Sequence, residues 1–279
     1  MKKIIHHPIS RIILGVIISI ALPVLINKLI LKNLFNIIGF EEQVNGAIRI
    51  FISTLILIPL FYAWFYRKIE KRKISELDLR FFIKESALGF FLAVLSISFI
   101  LLLCTITINV DFQIIGLRKQ FIIGLILILG FVTIEEFFFR GIIYRITEEK
   151  WGTNIALIIS GVLFGLMHIT NPNINISSLL SIIIAGLLLG VMYSYKRRLW
   201  LPIFFHYGWN LSQVIYGVSL SGTDEFSKYA VFRTNINGPD IISGGEFGLE
   251  NSIFTIIFTV ILFVILYIIS EKKKPEIKK

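Results

Sequence analysis

The chain has 279 residues, 56% of them hydrophobic and 16% charged, with a mean hydropathy of +0.82; soluble domains carry about 25% charged residues, so an ordinary soluble domain is excluded and a polytopic membrane protein is indicated. The single cysteine, Cys104, rules out an intramolecular disulfide and any cysteine-cluster metal site. The net charge of +10 reads as basic connections between apolar runs, and no basic stripe with interleaved aromatics suggests a nucleic-acid partner.

In chain order, Lys2 and Lys3 precede an apolar run from Ile12 to about Leu34. That run is too long for a signal-peptide core and lacks a small-residue cleavage site, so it reads as a retained first span, kinked at Pro23. A spanning helix needs roughly 20 apolar residues. On that rule about eight spans lie near 12–34, 46–66, 84–109, 119–139, 154–169, 178–195, 199–218 and 252–270. The expected fold is therefore an all-α helix bundle, one membrane domain over 1–279, multi-pass in the cell membrane.

Basic residues fall on alternate connections: Arg11 with Lys2 and Lys3, then Arg67 to Lys73, Arg145 and Lys150, Lys196 to Arg198, and Lys272 to Lys274. The intervening connections carry Glu41 and Glu42, an uncharged stretch at 170–177, and a net negative segment at 219–250; Arg118 and Lys119 are the exception. This pattern predicts both termini in the cytoplasm, a basic cytoplasmic tail at 271–279 and an extracytoplasmic 219–250 loop. The loop is rich in Gly, Ser and Asn and is expected to be largely mobile, with "GPDIISGGEFG" as an ordered turn or lid. No internal repeat is visible, which weighs against an inverted-repeat transporter.

The fourth span contains "FVTIEEFFFR", residues 131–140. Two carboxylates inside a span cost roughly 6 kcal/mol by insertion scales, an amount the surrounding Ile, Leu, Phe and Val offset. Arg140 lies four positions after Glu136 and shares its helix face, whereas Glu135 is rotated by about 100°. Glu136 is thus expected to pair with Arg140. Glu135 has no local cation and is suited to take a proton from water. The same pattern is open to a second reading, an ion pair that only locks helices together.

His6 and His7 belong to the N-terminal tail, but His168 and His206 lie in apolar spans, and Asn210 follows His206 by one helical turn. Glu136 and His168 are each sixteen residues from Gly152, so two antiparallel helical arms would bring them level, roughly 24 Å from the turn. His206 lies roughly 12 Å beyond Arg198 on the same reckoning, so the levels agree if the helical hairpin projects about 10 Å from the bilayer. The groups can then converge in a cavity expected to open toward the cytoplasm. Two histidines and a carboxylate (His168, His206, Glu136) would make a Zn²⁺ shell with one open position, and a metal-free glutamate–histidine site needs the same residues.

"EEFFFR", "FGLMH" (164–168) and "HYGWN" (206–210) match in order the EExxxR, FxxxH and HxxxN motifs of the CPBP intramembrane proteases, a family that includes type II CAAX prenyl proteases and bacterial proteins of bacteriocin processing and self-immunity. The resemblance covers about 119–218 and implies peptide-bond hydrolysis within the membrane. It implies that Glu135 activates water, His168 positions it, His206 and Asn210 stabilise the oxyanion, and Glu136 with Arg140 supports them. The family's usual label adds an expectation of zinc. The expected substrate is a peptide or lipid-modified peptide reaching the site from the cytoplasmic leaflet, with membrane lipids around it. A non-enzymatic immunity or scaffold protein is the alternative, and a proton-coupled transporter a more distant one.

Overall fold

The structure is a computed structural model that describes residues 7–273. The expectations placed on Lys2, Lys3, His6 and the tail from Lys274 onward lie outside the described residues.

Helices occupy all eight predicted segments. They are α1 (Pro8–Ile38), α2 (Glu42–Ile69), α3 (Leu79–Thr107), α4 (Phe121–Trp151), α5 (Thr153–Met167), α6 (Ile176–Lys196), α7 (Trp200–Tyr216) and α8 (Ile253–Lys272). Six are long and apolar enough to cross a bilayer; α5 and α7 have 15 and 17 residues, short of the roughly 20 that a span requires. In α1 and α8 only 17% of the most apolar window is buried, against 56% in α6. The first two therefore face lipid and α6 runs through the centre.

Helix α4 continues without a break through "RGIIYRITEEK" to Trp151, as its spaced charges predict, and turns at Gly152 (φ 82°) into α5. Over Phe137–Tyr144 it widens to π geometry, which loosens backbone pairing at this level. The Gly141 carbonyl takes the hydroxyls of Tyr66 (2.7 Å) and Tyr62 (3.3 Å) from α2. Small residues bring the site-bearing helices together. A Cβ on Gly89 of α3 would lie 2.6 Å from the Leu201 carbonyl of α7, and one on Gly186 of α6 would lie 3.0 Å from Gly161 of α5. Such close approach is how membrane helices gain packing energy where lipid supplies no hydrophobic drive.

The two ends of the bundle differ. One carries ion pairs: Arg11–Glu70, Arg72–Glu76 (2.6 Å), Arg197–Glu148 and Arg198–Glu85, above a plug of buried Tyr62, Tyr66, Tyr144 and Tyr193. The other carries a folded cap. Strand β1 (Asn109–Ile114) pairs antiparallel with β2 (Phe232–Asn237), from Asn109 opposite Asn237 to Ile114 opposite Phe232. Leu220, Tyr229, Phe247 and Leu249 are buried beneath. The expectation of a largely mobile 219–250 loop is therefore corrected, because a few apolar residues scattered among the glycines anchor it. At Gly222 (φ 85°) a Cβ would lie 2.0 Å from the Pro172 carbonyl, so only glycine lets the cap close there.

Candidate active site

Helices α4, α5 and α7 bring the predicted residues together. Glu136 and Arg140, one turn apart, are both fully buried and bonded at 2.8 Å. Arg140 also donates from Nη2 to the Gly186 carbonyl of α6 at 2.8 Å and lies 4.7 Å over the Phe164 ring. His206 joins at the same carboxylate oxygen, Oε1, to which its Nδ1 donates at 2.9 Å; Oε2 is buried with no partner among the described residues. His206 turns its other nitrogen, Nε2, to Glu135, 3.8 Å from Oε2. The Glu135 side chain is 23% exposed and, among the described residues, has no lysine or arginine partner.

His168 closes α5. Its Nδ1 donates to the Phe164 carbonyl at 2.8 Å, and the Phe164 ring packs against both imidazoles, at 4.9 Å from His168 and 5.8 Å from His206. In each histidine the Nδ1 partner is an acceptor oxygen, so Nδ1 carries the proton and Nε2 is the nitrogen left for chemistry. Glu135, His168, His206 and Asn210 all line one cavity of about 330 Å³. Glu136 and Arg140 sit behind its wall.

The cavity runs from Glu135, Leu189 and His206 up to Asn171, Ser221, Thr223 and Glu250. The cavity thus lies between the catalytic groups and the cap, with exposed Phe131 and Met167 among its lining residues. The tyrosine and ion-pair layer at the basic end contributes none of the lining residues. A reporter fused after Glu225 is expected to be active only outside the cytoplasm; cytoplasmic activity there would overturn the assigned topology.

Zinc fits these residues poorly. Among the described residues no group of three or more His, Cys, Asp or Glu side chains is placed to hold a metal ion. Glu136 is committed to Arg140 and to the Nδ1 side of His206, so His168, His206 and Glu136 do not form a ligand shell. Sequence reasoning also missed Glu250, which projects into the cavity from the cap. Nothing near "GGEFGLEN" in the sequence distinguishes it from Glu246.

Residues 117–212, about a third of the chain, match the family model described as Type II CAAX prenyl endopeptidase Rce1-like. No curated protein and no solved structure matches the chain. The matched segment holds every residue singled out above from Glu135 to Asn210, and over that third of its length this multi-pass helical chain is similar to the CAAX-type intramembrane endopeptidases.

Proposed function

We propose that the chain hydrolyses a peptide bond inside this cavity, with Glu135 as general base. The observation that carries the reading is the gathering of Glu135, His168, His206 and Asn210, from three helices, around one space next to a buried Glu136–Arg140 pair. Glu135 takes a proton from water, and His168 Nε2 holds that water by accepting its second hydrogen. The hydroxide adds to the substrate carbonyl. The resulting oxyanion is met by the Asn210 amide, whose side chain has no bond to another described residue, and by Nε2–H of a protonated His206. Glu135 then passes its proton to the departing amine as the C–N bond breaks. Glu136 fixes the His206 ring through Nδ1, and Arg140 holds Glu136.

The substrate class is a peptide, with or without a lipid chain, that partitions into the membrane. Because the histidines and Glu136 do not assemble around a metal, no step is routed through zinc. Purified protein dialysed against a strong chelator is therefore expected to keep cleaving quenched-fluorescence peptides at its original rate, with metal content measured in parallel. Loss of cleavage that Zn²⁺ restores would overturn the metal-free reading.

A further inference from the structure

Glu250 is a second carboxylate in the cavity, contributed by the cap. Its Oε1 accepts from Trp209 Nε1 at 3.1 Å and from Gln213 Nε2 at 3.2 Å, and its Oε2 accepts from Ser221 Oγ at 2.6 Å. All three donors are neutral, so the carboxylate is held in place and its charge is not cancelled. The surroundings are short of donors: the Gln213 Oε1 atom, on the side chain that grips Glu250, is buried without a partner. The cavity lining contains Glu135, Glu225 and Glu250 and not one lysine or arginine. Among the described residues, none of the three forms an ion pair with a lysine or arginine.

From this we infer that Glu250 is a specificity residue that selects peptides carrying a positively charged side chain beside the scissile bond. The inference rests on the proteolytic reading of the cavity. A substrate bearing its own carboxylate there would meet three like charges in a site partly screened from water, whereas a lysine or arginine would supply the missing donor and the missing charge. The position follows from α7. Trp209 and Gln213 lie three and seven residues beyond His206, roughly 4.5 to 10 Å along the helix. An extended peptide covers about 3.3 Å per residue, so the cation falls about one to three residues from the cleaved bond.

The test uses binding, which does not require hydrolysis. Full-length Glu135→Gln protein in lipid nanodiscs is titrated with three labelled apolar peptides that differ at one position: lysine, norleucine or glutamate. The lysine peptide is expected to bind about tenfold tighter than the norleucine peptide and the glutamate peptide more weakly than both, in line with a partly desolvated charge pair. Adding Glu250→Gln should bring the lysine and norleucine peptides within about twofold of each other. Glutamine can keep all three hydrogen bonds, its oxygen toward Trp209 and Gln213 and its amide toward the Ser221 oxygen, so the cap stays in place while the charge goes. Glu250→Asp, which retains charge, should keep the preference and serves if the glutamine variant does not fold. Equal binding of the three peptides, no binding of the lysine peptide, or a preference that survives Glu250→Gln would overturn the inference. If wild-type protein cleaves none of these peptides yet the binding preference holds, it is the proteolytic reading that fails.

Discussion

Replacing Glu135 with glutamine is expected to lower kcat by about 10²- to 10⁴-fold, the range a positioned general base contributes, with KM little changed. Of the two adjacent glutamates only this one reaches the cavity. It has no ion pair among the described residues except the 3.8 Å approach of His206 Nε2. Its carboxylate is therefore available to water, and an amide of equal size removes the basic oxygen without leaving a buried charge behind. Thermal stability should change by no more than about 0.5 kcal/mol, as for other substitutions that break no buried network. Cleavage of quenched-fluorescence peptides by purified wild type and variant checks this, and a fully active variant would remove Glu135 from the mechanism.

The same variant separates the enzymatic reading from a non-enzymatic one. A membrane scaffold or immunity protein would use the polar cluster only to hold helices together, and the buried Glu136–Arg140 pair would suffice for that. If a protective effect against a bacteriocin survives both Glu135→Gln and His168→Ala, the cavity-facing groups are not needed for it. What favours hydrolysis is the division of labour: one glutamate locked in the interior, its neighbour left facing space with two imidazoles.

Much of this division was legible in the sequence, because it follows from helical periodicity alone. Glu136 and Arg140 fall on one face by their spacing, His206 and Asn210 do likewise, and equal distances from Gly152 place His168 near the level of the glutamates. Non-local features were not legible. Strand β1 finds its partner β2 across the entire catalytic segment, joining Asn109 to Asn237, and no local pattern announces a pairing at that separation. Hydropathy measures whether a segment can enter lipid, not how the helices pack, so the buried cluster of Tyr62, Tyr66, Tyr144 and Tyr193 was not legible either. Glu250 was invisible for a similar reason: its placement depends on Trp209, Gln213 and Ser221, donors brought to it by the folded cap.

Arg140→Met should cost about 3–5 kcal/mol of stability, the penalty for leaving one member of a buried ion pair uncompensated. Both side chains are fully inaccessible, and Arg140 makes two divergent contacts, to Glu136 and to the Gly186 carbonyl. A lysine cannot span both with one ammonium group, so Arg140→Lys is expected to recover only part of the loss. Unfolding of the purified variants in mixed micelles measures the effect. The double variant Glu136→Gln, Arg140→Met removes both charges and should regain most of the lost stability, because apolar replacement of a buried pair is often close to neutral. Activity should not return with it. His206 Nδ1 would face an amide in place of the carboxylate 2.9 Å away, and the ring that presents Nε2 to Glu135 would lose its charged anchor. Stability without turnover in the double variant is thus the expected signature of a pair that both holds the helices and orients the histidine. If Arg140→Met unfolds like wild type, the pair holds nothing together. If the double variant hydrolyses peptides at the wild-type rate, the orienting role assigned to Glu136 is wrong.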